Sequence, residues 1–329
     1  MSKKPYGYAV LEGVAQEMRD NPKLCVNFGQ GDYTATSLTG NILNLNKEFP
    51  FPRTLPRHMN AIDEGWYAGW CNGMSAAGFS TLARFPNMAG LIATEYVYNN
   101  IAKLHYMSGG SIMQNVTLWM DGSNRRVGQA GQHTETGQES IYAFMAGLKV
   151  VCPSTVYDAK GLMIAALRDP DPVIYYDYSR AAGGESAADV PDEAYEVPIG
   201  KAIVRQEGKD ITINAWAPTT VEVMNALPAL AKAGISVEFV DPRTIKPLDT
   251  ETLVASVKKT GRCLVVDQSS YTNSFSSHVI SEVAQNCRGA LVKKICFPDA
   301  PGPGAREMIT WMTPDAPKII DAVKQMVKL

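Results

Sequence analysis

The sequence has few of the residues that most often announce a site. Histidine occurs only four times. It never appears as His-Glu-x-x-His or beside cysteines at zinc-binding spacing, which removes the common zinc chemistries. The six cysteines, Cys25, Cys71, Cys152, Cys263, Cys287 and Cys296, are scattered, with no Cys-x-x-Cys pair. That excludes a disulfide framework and fits reduced thiols, several of them buried, in an intracellular protein. No Gly-x-Ser-x-Gly marks a hydrolase nucleophile. Gly29-Gln-Gly-Asp32 is glycine-rich but lacks both Gly-x-Gly-x-x-Gly and the Walker lysine, so it gives little support to a nucleotide loop. Neither sign of charge dominates: the formal net charge is −2, and there is no electrostatic case for nucleic acid or an anionic membrane. No apolar run approaches the ~18 residues of a membrane span. Met1-Ser-Lys-Lys-Pro5 opens onto no apolar core of the kind a signal peptide needs. These absences set the expectation of a soluble, cytoplasmic protein.

What is present suggests an enzyme-sized α/β chain. Its 329 residues, 45% of them hydrophobic, are enough for two domains with sizeable cores. Strand-like runs at 24–28, 79–85, 116–120, 148–152 and 172–176 alternate with helical patterns at 8–18, 90–107 and 156–168. Alternation restarts with strands near 203 and at 211–215, 235–240, 263–266 and 291–295. The pattern predicts an α/β fold of two domains, each a mostly parallel sheet flanked by helices. Between the two series, residues 180–191 are rich in Ala, Gly, Ser, Asp and Glu without an apolar period. The expected division is 1–185, a linker at 186–197, and 198–329. A helix over 219–233 is expected to present Val221, Met224, Leu227 and Leu230 on one face. A last helix from Asp315 is expected to bury Ile319, Ile320, Val323 and Val327.

Two stretches carry candidate chemistry. The first, residues 60–78, places Glu64 at the start of a helix crowded with Gly and Ala, whose small face would admit another backbone or a ligand. Glu64 reads either as a reactive carboxyl group or as a carboxylate that merely complements the helix dipole, and context alone favours the second. The second is the polar loop at 121–137, with His133 and the pair Arg125-Arg126. Histidine there is suited to proton transfer near neutral pH, and the arginines to an anionic substrate, though both fit a solvated surface as well.

Several ordered blocks resemble the β subunit of thiamine-diphosphate-dependent 2-oxo acid dehydrogenases, the E1β family. They include Ile62-Asp-Glu64-Gly-x-x-Ala-Gly69, Tyr106-Met-Ser-Gly-Gly110, Gly131-Gln-His133, Gly147-Leu-Lys-Val-Val-x-Pro153, Asp158-Ala-Lys-Gly-Leu162 and Arg243-Thr-Ile-x-Pro-Leu-Asp249. Transketolase and 1-deoxyxylulose-5-phosphate synthase are more distant relatives. The resemblance covers nearly the whole chain and implies a pyrimidine-binding domain followed by a transketolase C-terminal domain. It matches Glu64 to the carboxyl group that hydrogen-bonds the aminopyrimidine of thiamine diphosphate, and His133 to the active-site histidine beside the thiazolium. It makes Phe85 a candidate stacking partner, Arg125 and Arg126 candidate substrate contacts, and Ala166, Asp169 and Asp171 a potassium site. It also accounts for a missing motif. The family's Gly-Asp-Gly, which holds Mg2+ and the diphosphate, lies on a separate α subunit, so an α2β2 assembly is expected, with a lipoyl acyltransferase core as a further partner.

The chain departs from the family at several points. Gly29-Gln-Gly-Asp32 replaces a more acidic run, Pro86-Asn-Met-Ala-Gly90 has no aromatic, and Gly304 stands where tyrosine is common. Activity on an unusual oxo substrate therefore stays open. So do half of a split sugar-phosphate enzyme of the transketolase type and a non-catalytic assembly subunit.

Overall fold

The computed structural model describes residues 1–29, 31, 33–60, 63–85, 90–122, 137–178 and 186–328. The chain divides into two compact units. The first begins with β1 (Ser2–Pro5), α1 (Tyr6–Asp20), β2 (Leu24–Asn27), β3 (Thr34–Thr36), β4 (Ile42–Asn44) and α2 (Leu45–Glu48). Then come α3 (Glu64–Ala76), β5 (Ser80–Phe85), a π-helical turn (Tyr96–Ile101), α4 (Leu104–Met107) and β6 (Val116–Asp121). It continues from Tyr142 of α5 (Gln138–Phe144), whose earlier residues are assigned to the second unit, through β7 (Lys149–Val151), α6 (Val156–Arg168), β8 (Val173–Asp177) and β9 (Ala187–Val190).

In this unit β7-β8-β6-β5-β2 are neighbours in that order, all parallel. One face packs on α1 and α6 through Val10, Val14, Trp119, Tyr175, Leu162 and Met163. The opposite face carries α3, where the Tyr67 ring meets Phe85 edge-on at 5.9 Å. α6 starts where Thr155 caps it, accepting the Asp158 N–H at 3.1 Å.

A buried cation joins the α1–α6 layer to the segment that follows β8. Lys160 on α6 is fully buried. Its ammonium donates to Glu12 Oε2 at 2.8 Å and to the carbonyls of Pro191 and Glu193 at 2.9 and 3.1 Å. Lys4 of β1 reaches the same Glu12, and Arg168 binds Glu17 of α1 and Glu196. Residues 186–197, expected to link the domains, thus include a strand paired antiparallel with β1 and a run of carbonyls bound to α6.

The second unit holds β10 (Ile203–Gln206), β11 (Ile211–Ala215), α7 (Thr220–Lys232), β12 (Val237–Asp241), β13 (Thr244–Lys246) and α8 (Thr250–Thr260). After these come β14 (Arg262–Ser270), α9 (Phe275–Asn286), β15 (Leu291–Phe297), α10 (Arg306–Met312) and α11 (Ala316–Val327). Its sheet runs β10-β12-β11-β14-β15, parallel except for β10. α7 and α11 cover one face through Val223, Leu230, Ile319, Val323 and Met326. Asp315 caps α11 by accepting the Lys318 N–H.

The fold class matches expectation, and three local expectations are corrected. Met224 is 47% exposed, and α7 buries the expected Leu227 and Leu230 together with Val223 and Ala226. Residues spaced by three drift around a helix of 3.6 residues per turn, so the expected row could not stay on one face. In α11, Met326 takes the buried place expected for Val327, which is only partly buried along with Ile320. Residues 90–107 are not one α-helix. The Ala102 N–H bonds to the Val97 carbonyl at 2.9 Å, an i→i+5 turn.

Replacing Lys160 by Met should cost about 3 kcal/mol or more, because Glu12 and the carbonyls lose their buried partner. A fall in thermal midpoint checks this. A second prediction concerns acid. Burial would raise the Asp249 carboxyl, but hydrogen bonds from the Ala202 and Thr252 N–H groups and the Thr252 hydroxyl outweigh it and hold the carboxyl below its ordinary 3.8. A folded value below the unfolded one gives stability that is present above that range and lost as pH falls through it. The melting-temperature difference between wild type and Asp249→Asn should therefore shrink between pH 7 and pH 3.

Candidate active site

The most informative carboxylate is Glu64, and its placement is built locally. Asp63 caps α3, its side chain accepting the Trp66 N–H at 3.0 Å, so the helix begins at Glu64. α3 leads back into β5 and therefore starts at the carboxyl edge of the parallel sheet, where ligands of such folds bind. Glu64 is only 8% exposed, and its side chain makes no hydrogen bond or ion pair to any described residue. Burying a charged carboxylate without partners is costly. The first-turn dipole offsets a fraction of that. A group that offers a hydrogen-bonding nitrogen to this carboxyl would fit the remainder.

Below Glu64 the floor is aromatic. Tyr67, one turn on, is buried, and burial together with the nearby Glu64 and Asp63 carboxylates raises its phenol above the ordinary value. Phe85, at the carboxyl end of β5, is fully buried against Tyr67. Tyr67 also explains Gly29 at the end of β2. Gly29 has φ +55°, and a Cβ there would lie 2.5 Å from the Tyr67 ring. Only glycine meets both conditions without strain.

The small face of α3 has an occupant from the same chain. The Tyr96 ring lies over Gly65 and Gly69, where added Cβ atoms would approach it to 3.4 and 3.2 Å. This contact uses two of the small positions for internal packing, while Gly73, one turn on, has open space beside it. His133, Arg125 and Arg126 lie outside the described residues. Ala166, Asp169 and Asp171 come together at the end of α6. There the Asp169 carboxylate accepts from the Lys149 ammonium at 2.7 and 2.8 Å, and Asp171 lies 3.1 Å from the same nitrogen. Sequence reasoning missed Tyr67, Gly29 and Lys149. The positive-φ glycine had a visible signal in Gly29-Gln-Gly31, whereas the two contacts depend on residues far apart in sequence.

Two family profiles cover most of the chain. The one described as transketolase, pyrimidine binding domain, matches residues 4–176, and the one described as transketolase, C-terminal domain, matches residues 200–319. A pyruvate dehydrogenase E1 component subunit beta from Bacillus subtilis is 30% identical, covering 97% of each chain. The chain belongs to the E1 β-subunit family. Other members include the acetoin:2,6-dichlorophenolindophenol oxidoreductase subunit beta of Cupriavidus necator, 33% identical over 97% of this chain and 96% of its own. The mitochondrial 2-oxoisovalerate dehydrogenase subunit beta of Dictyostelium discoideum is 34% identical over 78% of this chain and 70% of its own. A solved structure titled split gene transketolase, inactive beta4 tetramer, superposes with TM-score 0.77 over 99% of both chains at 21% identity, which shows the shared fold. Among the described residues of this E1 β-family chain, no helix is long and apolar enough to cross a membrane.

Gly29→Ala should destabilise the first unit by about 1–3 kcal/mol, since left-handed backbone and the Tyr67 clash add. Its thermal midpoint should fall, whereas Gly73→Ala, on the same helix as Glu64 with open space beside it, should leave the midpoint unchanged or raise it.

Proposed function

We propose that this chain is the β subunit of a heteromeric thiamine-diphosphate enzyme that decarboxylates or cleaves a 2-oxo acid or related carbonyl compound and passes the acyl unit to an acceptor such as lipoamide. The observation that carries the reading is Glu64, a buried carboxyl group at a helix start with no described partner, within a pyrimidine-binding domain. When bound, thiamine diphosphate supplies a nucleophilic carbon and a sink for the electrons released on carbon–carbon cleavage. Glu64 would share a proton with a ring nitrogen of the aminopyrimidine and so set its tautomer. Tyr67 and Phe85 would form an apolar wall that keeps this carboxyl away from water. His133 would act on the substrate side, stabilising oxyanion charge and assisting acyl transfer, and Arg125 and Arg126 would meet an anionic substrate.

An α subunit with a Gly-Asp-Gly motif would hold Mg2+ and the diphosphate, giving an α2β2 assembly in the cytoplasm. Exposed apolar side chains on the first unit, among them Tyr106 at 90%, Phe144 at 81% and Met107 at 71%, support a role as a subunit. The two alternatives, a split sugar-phosphate enzyme and a non-catalytic subunit, make different predictions in the same experiment.

Purified alone, the chain should show no turnover with thiamine diphosphate. Reconstituted with its α partner, it should act on 2-oxo acids or acetoin-like substrates. Glu64→Gln in that pair should lower kcat by about 100-fold or more while leaving assembly and melting temperature unchanged. Near-normal turnover in the variant would remove Glu64 from the mechanism. Activity confined to sugar phosphates would favour the split-enzyme alternative.

A further inference from the structure

The turn from α6 into β8 carries the residues that the family resemblance assigns to a potassium ion, and the Ala166 and Asp169 carbonyls among them already accept hydrogen bonds. The Ala166 carbonyl, among the last of α6, accepts the Thr117 hydroxyl at 3.0 Å and the Asp169 N–H at 3.4 Å. Both of its lone pairs are used. The Asp169 carbonyl accepts the Asn115 side-chain amide at 2.9 Å. The Asp169 carboxylate takes the Lys149 ammonium on both oxygens, and its Oδ1 also accepts the Asp171 N–H at 2.9 Å. Lys149 is itself fixed by its backbone N–H on the Pro172 carbonyl at 2.9 Å. Burial works against its charge, but hydrogen bonds and ion pairs to Asp169 and Asp171 outweigh it and raise the ammonium above its ordinary value.

A monovalent cation held by a protein replaces its water with oxygens that have lone pairs to give. Here Thr117 and Asn115 donate to the Ala166 and Asp169 carbonyls, and Lys149 places an ammonium on the Asp169 and Asp171 carboxylates. Asn115 and Thr117 sit at the entry to β6, Lys149 opens β7, and the turn they bind leads into β8, so the three donors tie adjacent strands together from one end.

We propose that Lys149, Thr117 and Asn115 replace the potassium ion at this turn, so that the fold of this chain is independent of potassium. The proposal does not rest on the catalytic reading, and its test reads stability, so either can fail alone. The full-length chain, dialysed into choline chloride, is melted after addition of potassium or sodium chloride at equal ionic strength. A specific site filled at a hundredfold over its dissociation constant would raise the midpoint by about 5–10 °C. The expected result is the same midpoint in all three salts. A rise of that size with potassium alone would overturn the proposal, as would a thallium ion found in crystals against the Ala166 and Asp169 carbonyls. The paired variant Thr117→Val, Asn115→Leu frees both carbonyls and should acquire a potassium-dependent rise that the wild type lacks. A folded paired variant still indifferent to potassium would overturn the idea that these donors stand in a cation's place. If the pair does not fold, the wild-type melts and the thallium crystals still decide.

Discussion

A charged amine with no exposed surface must be matched on every side, and Lys160 is matched by parts of the chain far apart in sequence. Glu12 comes from α1, and the carbonyls of Pro191 and Glu193 come from beyond β8. Removing any of them would leave a buried charge short of partners, which costs more than an ordinary hydrogen bond. The arrangement therefore fixes α1 and α6 together under one face of the sheet. With that face pinned, the other can carry features that are unfavourable in isolation: a left-handed glycine against a tyrosine ring, and a carboxylate buried at a helix start.

Much of the scaffold was legible because its signals are local. The boundaries of α6 follow from Thr155 before an apolar period and from the charged, proline-containing turn after it. The start of α11 follows from Asp315, whose side chain accepts the Lys318 N–H that the helix leaves unpaired. What escaped was decided by tertiary contact. The π turn at Tyr96–Ile101 forms where Val97 and Ile101 are buried while Tyr96 covers the glycines of α3. No property of residues 90–107 read alone distinguishes that from a regular helix.

The site divides in the same way. Glu64 was visible as a carboxylate at a helix start, but local context favoured a surface role. Its burial without a described partner changes that balance, and burial is set by Tyr67, Phe85 and the sheet edge together. The potassium assignment shows the reverse case. The sequence block at 166–171 matches the family, yet whether its oxygens are free depends on Thr117, Asn115 and Lys149, which belong to other strands. A motif names atoms that could bind; the rest of the fold decides whether they are still available.

The strap that follows β8 has a consequence for ancestry. Residues 187–190 complete a ribbon with the first strand of the chain, the Val197 N–H bonds to the Gly161 carbonyl, and the first compact unit extends through Ile199. If the two halves were once separate genes, or were exchanged between lineages, a fusion point that keeps this strap with the first half lies after Ile199. A recombination nearer residue 185 would have taken away the carbonyls that Lys160 requires.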